Sequence, residues 1–145
     1  MFLEIRTPES KQEWEDYFDM RWRLLRKDCD RPRGSEKDED EDSAIHAALY
    51  KDGVLCAVSR LQINNADEGQ IRYMAVERQC QGEGLGKKIL FYLEDKAREE
   101  GLKYMLLNAR DNALEFYKSC GYTIHAESYL LYGVIPHFEM RKPLI

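Results

Sequence analysis

Three glycines at alternate positions, in the segment Gln81-Gly82-Glu83-Gly84-Leu85-Gly86-Lys87, stand between two stretches of different periodicity. Before them, Gln70 to Val76 reads as a strand. After them, Leu85, Ile89, Leu90, Leu93 and Ala97 recur at three- and four-residue intervals and stop at Gly101, a residue suited to the C′ position of a helix. A chain with this order passes from strand to helix through a glycine turn, and the helix begins inside the turn. The first turn of a helix leaves backbone N–H groups unpaired, and the helix dipole favours negative charge there, so such a turn suits an anion such as a pyrophosphate. Two phosphate-binding patterns fail on spacing. The P-loop pattern finds Gln81 where its first glycine belongs and Lys88 where its hydroxyl belongs. The dinucleotide pattern G-x-G-x-x-G, started at Gly82 or Gly84, ends on Lys87 or Ile89. Taken by itself, the loop is also consistent with a tight turn that holds no ligand.

The rest of the chain reads as alternating strands and helices. An alternating start at Phe2 to Arg6 leads to Thr7 and Pro8, which predict a helix capped by Thr7 and running from residue 8 to about 29, in one or two pieces. Trp14, Tyr17, Phe18, Leu24 and Leu25 form its apolar face, and Arg31-Pro32-Arg33-Gly34-Ser35 ends it. A loop follows, then strands at Ala44–Tyr50 and Val54–Ile63 joined by a turn at Lys51-Asp52-Gly53. A second turn spans Asn64 to Gly69. Beyond the glycine loop and its helix, Leu102–Leu107 reads as a strand. Asn112 with Glu115 predicts a capping box opening a short helix that stops at Gly121. Strands at Tyr122–Tyr132 and His137–Leu144 complete the chain, with Pro136 marking an edge, bulge or turn. With no repeat and no linker, residues 1–145 read as one α/β domain.

Composition narrows the function classes. The chain is 43% hydrophobic and 34% charged, which argues for a globular protein rather than a disordered one. Of its 27 acidic and 22 basic residues, six acids and one lysine lie between Glu36 and Asp42, leaving 21 of each elsewhere. The whole net charge of −5 therefore resides in that one run. Such a balance argues against nucleic acid or an anionic membrane as the principal partner. A basic cluster at Arg21, Arg23, Arg26, Lys27, Arg31 and Arg33 reads as a face neutralised by neighbouring acids. Cys29, Cys56, Cys80 and Cys120 form no C-x-x-C pair and no zinc spacing, so neither a disulfide framework nor a metal is expected. The absence of a basic head with a long apolar run near Met1, and of any membrane-length apolar stretch, points to a cytoplasmic protein.

Gln81, Gly84 and Gly86 satisfy Q/R-x-x-G-x-G/A, which resembles the acetyl-CoA pyrophosphate loop of the GNAT superfamily of N-acetyltransferases. The preceding Ile71-Arg72-Tyr73-Met74-Ala75-Val76 is similar to that family's fourth strand. Leu107-Asn108-Ala109-Arg110, followed by Ala113, Phe116-Tyr117 and Gly121-Tyr122, is similar to its second cofactor segment. Ile135-Pro136-His137 with Met140 resembles small stand-alone bacterial members. The resemblance implies a mixed, mostly antiparallel central sheet of six to seven strands flanked by about four helices. It implies acetyl-CoA as donor and no metal. Met74, Ala75 and Val76 would hold the pantetheine arm, with the Val76 N–H polarising the acetyl oxygen. Gln81, Gly82, Glu83, Gly84, Leu85, Gly86 and Lys87 would hold the pyrophosphate, and Asn108 would make a polar contact to the cofactor arm. Tyr117 would protonate the departing thiolate as general acid; as a residue on an apolar helix face it also reads as a core aromatic.

The implied activity is acetyl transfer, by direct attack, to a primary amine of a small molecule, peptide or protein. A non-catalytic acyl-CoA-binding regulatory module is the alternative. Some members carry a glutamate on the fourth strand as base, but this chain has Arg72 and Tyr73 there. His46, His125, His137 and Glu83 are then the side chains able to take the proton, with water as a relay. In the family the acidic run would border the acceptor site, so a cationic amine is one expected acceptor and a solvated loop paired with the preceding arginines is the other reading. The apolar Tyr129-Leu130-Leu131-Tyr132 is where a homodimer would form.

Overall fold

A computed structural model describes residues 2–145. Seven strands form one sheet: β1 (Leu3–Arg6), β2 (Ile45–Lys51), β3 (Val54–Ile63), β4 (Glu68–Val76), β5 (Tyr104–Arg110), β6 (Thr123–Leu131) and β7 (Ile135–Pro143). Their order across the sheet is β1-β2-β3-β4-β5-β7-β6. Among the described residues only β4 and β5 pair in parallel; every other pair is antiparallel. The helices are α1 (Lys11–Leu25), α2 (Leu85–Glu99) and α3 (Leu114–Ser119), three where about four were expected, with single 3-10 turns elsewhere.

The sheet is covered on both faces, and β2 shows how the sequence achieves this. Ala47 and Leu49 point into the cluster under α2, where they join Leu61, Ile89, Leu90, Leu93 and Met105. Their neighbours Ala48 and Tyr50 point the other way, to Tyr17 and Met20 of α1. Strand alternation thus feeds two apolar layers from one continuous apolar run. The α2 stripe is buried as its spacing predicts, and Gly101 takes a left-handed φ of 77° just beyond the helix.

Two expected helix starts differ. Ser10, not Thr7, caps α1: its hydroxyl accepts the Glu13 N–H at 3.1 Å, and the Glu13 carboxylate reaches back to the Ser10 N–H. Thr7 instead donates to the His46 carbonyl on β2 at 3.0 Å, so a cross-strand partner outcompetes the local capping position. The predicted capping box at Asn112 and Glu115 is absent as well. The chain enters α3 through a 3-10 turn at Asp111–Ala113, in which the Asp111 carboxylate accepts the Asn112 N–H at 3.0 Å.

The acidic run is tied down rather than solvated. Arg21 and Arg60 are fully buried, at 0% exposure each, and the loop supplies their counter-ions. Arg60 Nη1 meets Asp38 Oδ1 at 2.6 Å and Glu41 Oε2 at 2.9 Å, while its Nη2 meets Asp38 Oδ2 at 3.0 Å. Arg21 Nη1 bridges both Glu41 oxygens at 2.9 and 3.0 Å. His46 Nε2 donates to the Glu41 carbonyl at 2.7 Å and so closes the loop onto β2. Two buried guanidiniums would be prohibitively costly alone, and these carboxylates neutralise them. Others of the basic cluster are paired too, Arg23 with Asp19 and Glu77 and Arg33 with Asp19.

Burial acts to raise the Asp38 pKa, but the Arg60 hydrogen bonds, the Asp40 N–H and nearby Arg72 outweigh it and hold the carboxyl at about 2. Because the folded value lies below the ordinary one, this stabilisation is complete above about pH 4 and disappears as the pH falls through about 2. Asp38→Asn is expected to lower the unfolding free energy by about 2 kcal/mol near neutral pH and to flatten the fall of the urea midpoint below about pH 4. Urea titrations of both proteins across that range check this. An unchanged midpoint would mean that Glu41 alone neutralises Arg60.

Candidate functional site

The parallel pairing of β4 and β5 lasts four residues, from Glu68↔Tyr104 to Ile71↔Leu107. Beyond it both strands continue, but with their outer neighbours only: β4 stays on β3 up to Val76, and β5 stays on β7 up to Arg110. The facing edges therefore part. On β4 an extra residue is accommodated where the register shifts between Val58↔Ala75 and Arg60↔Arg72, and Tyr73 adopts a left-handed φ of 55°. A bulge of this kind bends its strand and strengthens its twist, which carries β4 away from β5.

Two cavities meet at the opening. The first, of about 660 Å³, is lined by Met74, Ala75 and Val76 of β4, by the glycine loop, and by Phe116 and Tyr117 of α3. At its floor Gly84 is the N-cap of α2 with φ 77° and no side-chain cap, so the first N–H groups of the helix stay available. Gly86 is buried against Phe116: a β-carbon there would approach Phe116 Cζ at 3.2 Å and Met74 Cε at 3.4 Å. The glycine turn, the uncapped N–H groups and the adjoining slot fit a pyrophosphate with an extended arm, as in acetyl-CoA. Strand geometry adds a donor. The Glu77 N–H bonds the Cys56 carbonyl on β3 at 2.8 Å, so alternation turns the Val76 N–H towards the edge that β5 has left.

The second cavity, of about 300 Å³, lies on the other side of the opening between β4 and β5. Arg26, Arg72 and Arg110 line it, as do Tyr73, Asn108, Tyr129 and His137. Met74, Asn112, Ala113 and Tyr117 line both cavities and mark where they join. Tyr117 is part-buried, and among the described residues its hydroxyl has no hydrogen-bond partner. Burial, with a smaller contribution from Cys120, pushes its pKa well above the ordinary phenol value, so it stays protonated at neutral pH.

The structure brings most of the predicted residues to the loop cavity: Met74, Ala75, Val76, Gln81, Gly82, Gly84, Leu85, Gly86, Lys87 and Tyr117. Gln81 turns its amide back to donate to the Val76 carbonyl at 3.2 Å, bracing the loop against β4. Glu83 departs from expectation. It lines neither cavity and pairs with Lys51 at 2.6 Å. Asn108 also departs, lining the second cavity with its Oδ1 accepting from Ser128 at 2.7 Å. None of the acids from Glu36 to Asp42 lines either cavity. His46 is sealed beneath the acidic loop, where burial lowers its pKa against the opposing bond to Glu41. His125 sits exposed on β6, and His137 is the one histidine that reaches a cavity.

Sequence reasoning missed Arg72 and Arg110 as site residues. In the sequence Arg72 reads only as the wrong residue for a base, and Arg110 as part of a motif. The alternation Arg72-Tyr73 next to a bulge carried no readable sign of which side chain faces the opening.

Comparison with known proteins agrees with this geometry. The family model described as "Acetyltransferase (GNAT) family" matches residues 3–122. YjcF of Bacillus subtilis (strain 168), named an uncharacterized N-acetyltransferase, is 28% identical over 134 residues, covering 92% of this chain and 95% of the relative. The fold matches an aminoglycoside 6'-N-acetyltransferase solved with coenzyme A, at TM-score 0.82 and 16% identity, over 100% of this chain and 98% of that one. It also matches the ribosomal-protein-S18-alanine N-acetyltransferase of Escherichia coli, at TM-score 0.75 and 19% identity, over 99% and 94% of the two chains. With the sheet opening, the glycine loop and the family match in agreement, the chain belongs to the GNAT family of acetyltransferases.

Proposed function

We propose that this protein transfers the acetyl group of acetyl-CoA to a primary amine by direct attack, with Tyr117 as general acid. The observation that carries the reading is the position of Tyr117 at the junction of the two cavities, with a hydroxyl that has no hydrogen-bond partner among the described residues. A thioester and an amine arriving from opposite sides meet beside it. The thioester already has a good leaving group, so the residues need to position the reactants and manage two protons.

The N–H groups at the start of α2 bind the pyrophosphate, and β4 from Met74 to Val76 guides the pantetheine arm into the opening. The Val76 N–H stabilises the negative charge that develops on the acetyl oxygen. As the amine nitrogen bonds the carbonyl carbon and the carbon–sulfur bond breaks, Tyr117 gives its proton to the sulfur. The nitrogen loses a proton in turn. His137 is the side chain placed to accept it: its Nδ1 donates to the Ile135 carbonyl at 3.0 Å, which leaves the lone pair on Nε2. Burial and the nearby Arg110 and Arg26, set against the bond to Ile135, lower its pKa and keep it neutral at pH 7.

The direct test follows free CoA thiol over a panel of amino acids, polyamines, aminoglycosides and basic peptides, with the acetylated product confirmed by mass. Tight CoA binding with no product from any amine would make the chain a CoA-binding module instead. Tyr117→Phe is expected to lower kcat about a hundredfold while the Kd for CoA stays within about twofold. Equal losses in both would reduce Tyr117 to packing. Gly84→Val forces a β-branched residue into left-handed φ at the helix start, and should weaken CoA binding at least tenfold by calorimetry, with kcat at saturating acetyl-CoA much less affected.

A further inference from the structure

We infer that the acceptor is an amine that also carries an anionic group, a carboxylate or a phosphate, held by Arg26, Arg72 and Arg110 in the second cavity. This deepens the acetyltransferase reading and rests on it.

The charge of the cavity is one-sided. Three guanidiniums line it and no Asp or Glu does. Arg26 and Arg110 come from different elements, one at the end of α1 and one at the end of β5, yet both reach the Leu25 carbonyl, at 3.1 and 3.4 Å. Neither has a carboxylate within salt-bridge distance among the described residues. This contrasts with Arg6, Arg21, Arg23, Arg33 and Arg60, each of which does. Arg72 reaches a carboxylate only at 3.5 Å, and that carboxylate, Asp38, is already bonded by Arg60 at 2.6 and 3.0 Å.

Capping the last carbonyls of α1 explains one donor from each of Arg26 and Arg110, and Arg26 Nε also reaches the Ser35 carbonyl at 3.2 Å. The remaining guanidinium N–H groups have no protein partner among the described residues. Convergent cations held without a counter-ion are costly unless a ligand supplies one, and a guanidinium fork matches the oxygens of a carboxylate or phosphate. The cavity holds about 300 Å³, which suits a small acceptor or the end of a longer one rather than a polycation. The expected cationic acceptor finds no carboxylate in this cavity: none of the six acids of the run lines it, and Asp38 and Glu41 are bonded to Arg60 and Arg21.

Two matched pairs of primary amines test this: β-alanine against β-alaninamide, and O-phosphoethanolamine against ethanolamine. Each is assayed for CoA release and, separately, for the thermal upshift it gives the CoA-saturated protein. The anionic member of at least one pair is expected to show kcat/KM about tenfold or more above its neutral partner. The pair that responds tells carboxylate from phosphate. Arg110→Ala and Arg26→Ala should raise KM for that member about tenfold and abolish its upshift, with CoA affinity retained, and Arg110→Lys should recover part of the loss. An equal or higher kcat/KM for the neutral member of both pairs would overturn the inference while leaving acetyl transfer intact, as would arginine variants with unchanged KM. An anionic amine that gives the upshift but is never acetylated would leave the anion site standing and overturn the enzymatic reading instead.

Discussion

The parting of β4 and β5 is the constraint on which the site depends. Four parallel pairs hold the two strands together at one end, and antiparallel partners on their outer sides keep each strand extended after they separate. Backbone groups on the two facing edges are then left without a strand partner. Buried backbone donors and acceptors are rarely left unpaired, so an opening of this kind is stable when water or a ligand meets those groups. An extended pantetheine arm, with its two amides, can serve as the missing strand. The glycine turn sits where that arm would end, because only a 3-10 turn at Arg78–Cys80 and the glycine loop separate the end of β4 from the start of α2. Donor binding, as proposed, would in this sense complete the sheet.

What holds the strands apart is a strained residue, Tyr73, in left-handed conformation, a state that costs a non-glycine residue about 1 kcal/mol or more. Its surroundings stabilise it. The guanidiniums of Arg21, Arg60, Arg72 and Arg26 lie 4.4, 5.0, 5.2 and 5.4 Å from the ring centroid. The hydroxyl donates to Asp38 at 3.3 Å. Cations over an aromatic ring are attracted by its quadrupole, and a partly desolvated site strengthens the effect. Four positive groups around one ring would repel one another without the acidic run. Asp38 and Glu41 neutralise the buried pair, which lets the cluster form and keeps the bulge in place. The segment that carries the protein's whole net charge thus acts on the site by supporting its bent strand.

Much of this was legible in the sequence. The glycine loop, the α2 stripe, its stop at Gly101 and the strand at Val54–Ile63 follow from local periodicity and turn chemistry, and these are the parts the structure reproduces most closely. Tyr117 reached the junction because its motif fixes a strand, helix and strand in order. The failures share a cause. Thr7, Asn112 and Glu83 each had a plausible local role, and each differs because a partner outside the expected local motif, the His46 carbonyl, Asp111 or Lys51, supplies the bond actually made. Pairing of the acidic run with a preceding arginine is found at Arg21, but nothing in the run's own composition reveals that Arg21 and Arg60, one on a helix and one on a strand, would be buried beside it. Asn108 lines the second cavity for a related reason: strand alternation gives two faces, and only the divergence of β4 and β5 decides which cavity each face meets.

On the proposed function, Arg72 and Tyr73 in place of a carboxylate base on β4 and the arginines of the second cavity would be two aspects of one solution to the proton problem. The attacking amine must be neutral, yet a primary amine in water is mostly protonated near pH 7. One remedy is a base that removes the proton. The other is a field that makes the ammonium unfavourable from the start. A guanidinium about 6 Å from the nitrogen, at an effective dielectric of about 20, opposes the ammonium by roughly 3 kcal/mol, equivalent to about 2 pKa units. Arg26 and Arg110, with no carboxylate within salt-bridge distance among the described residues, exceed the charge of one acceptor carboxylate, so net positive potential would remain at the nitrogen after binding. A glutamate at position 72 or 73 would cancel that potential and stabilise the ammonium. With Arg72 and Tyr73 there instead, the proposed acceptor amine would be shifted towards its free base as it enters, leaving His137 only the proton released on attack. On the proposed reading, the arginines that would select an anionic acceptor would also prepare its amine to react.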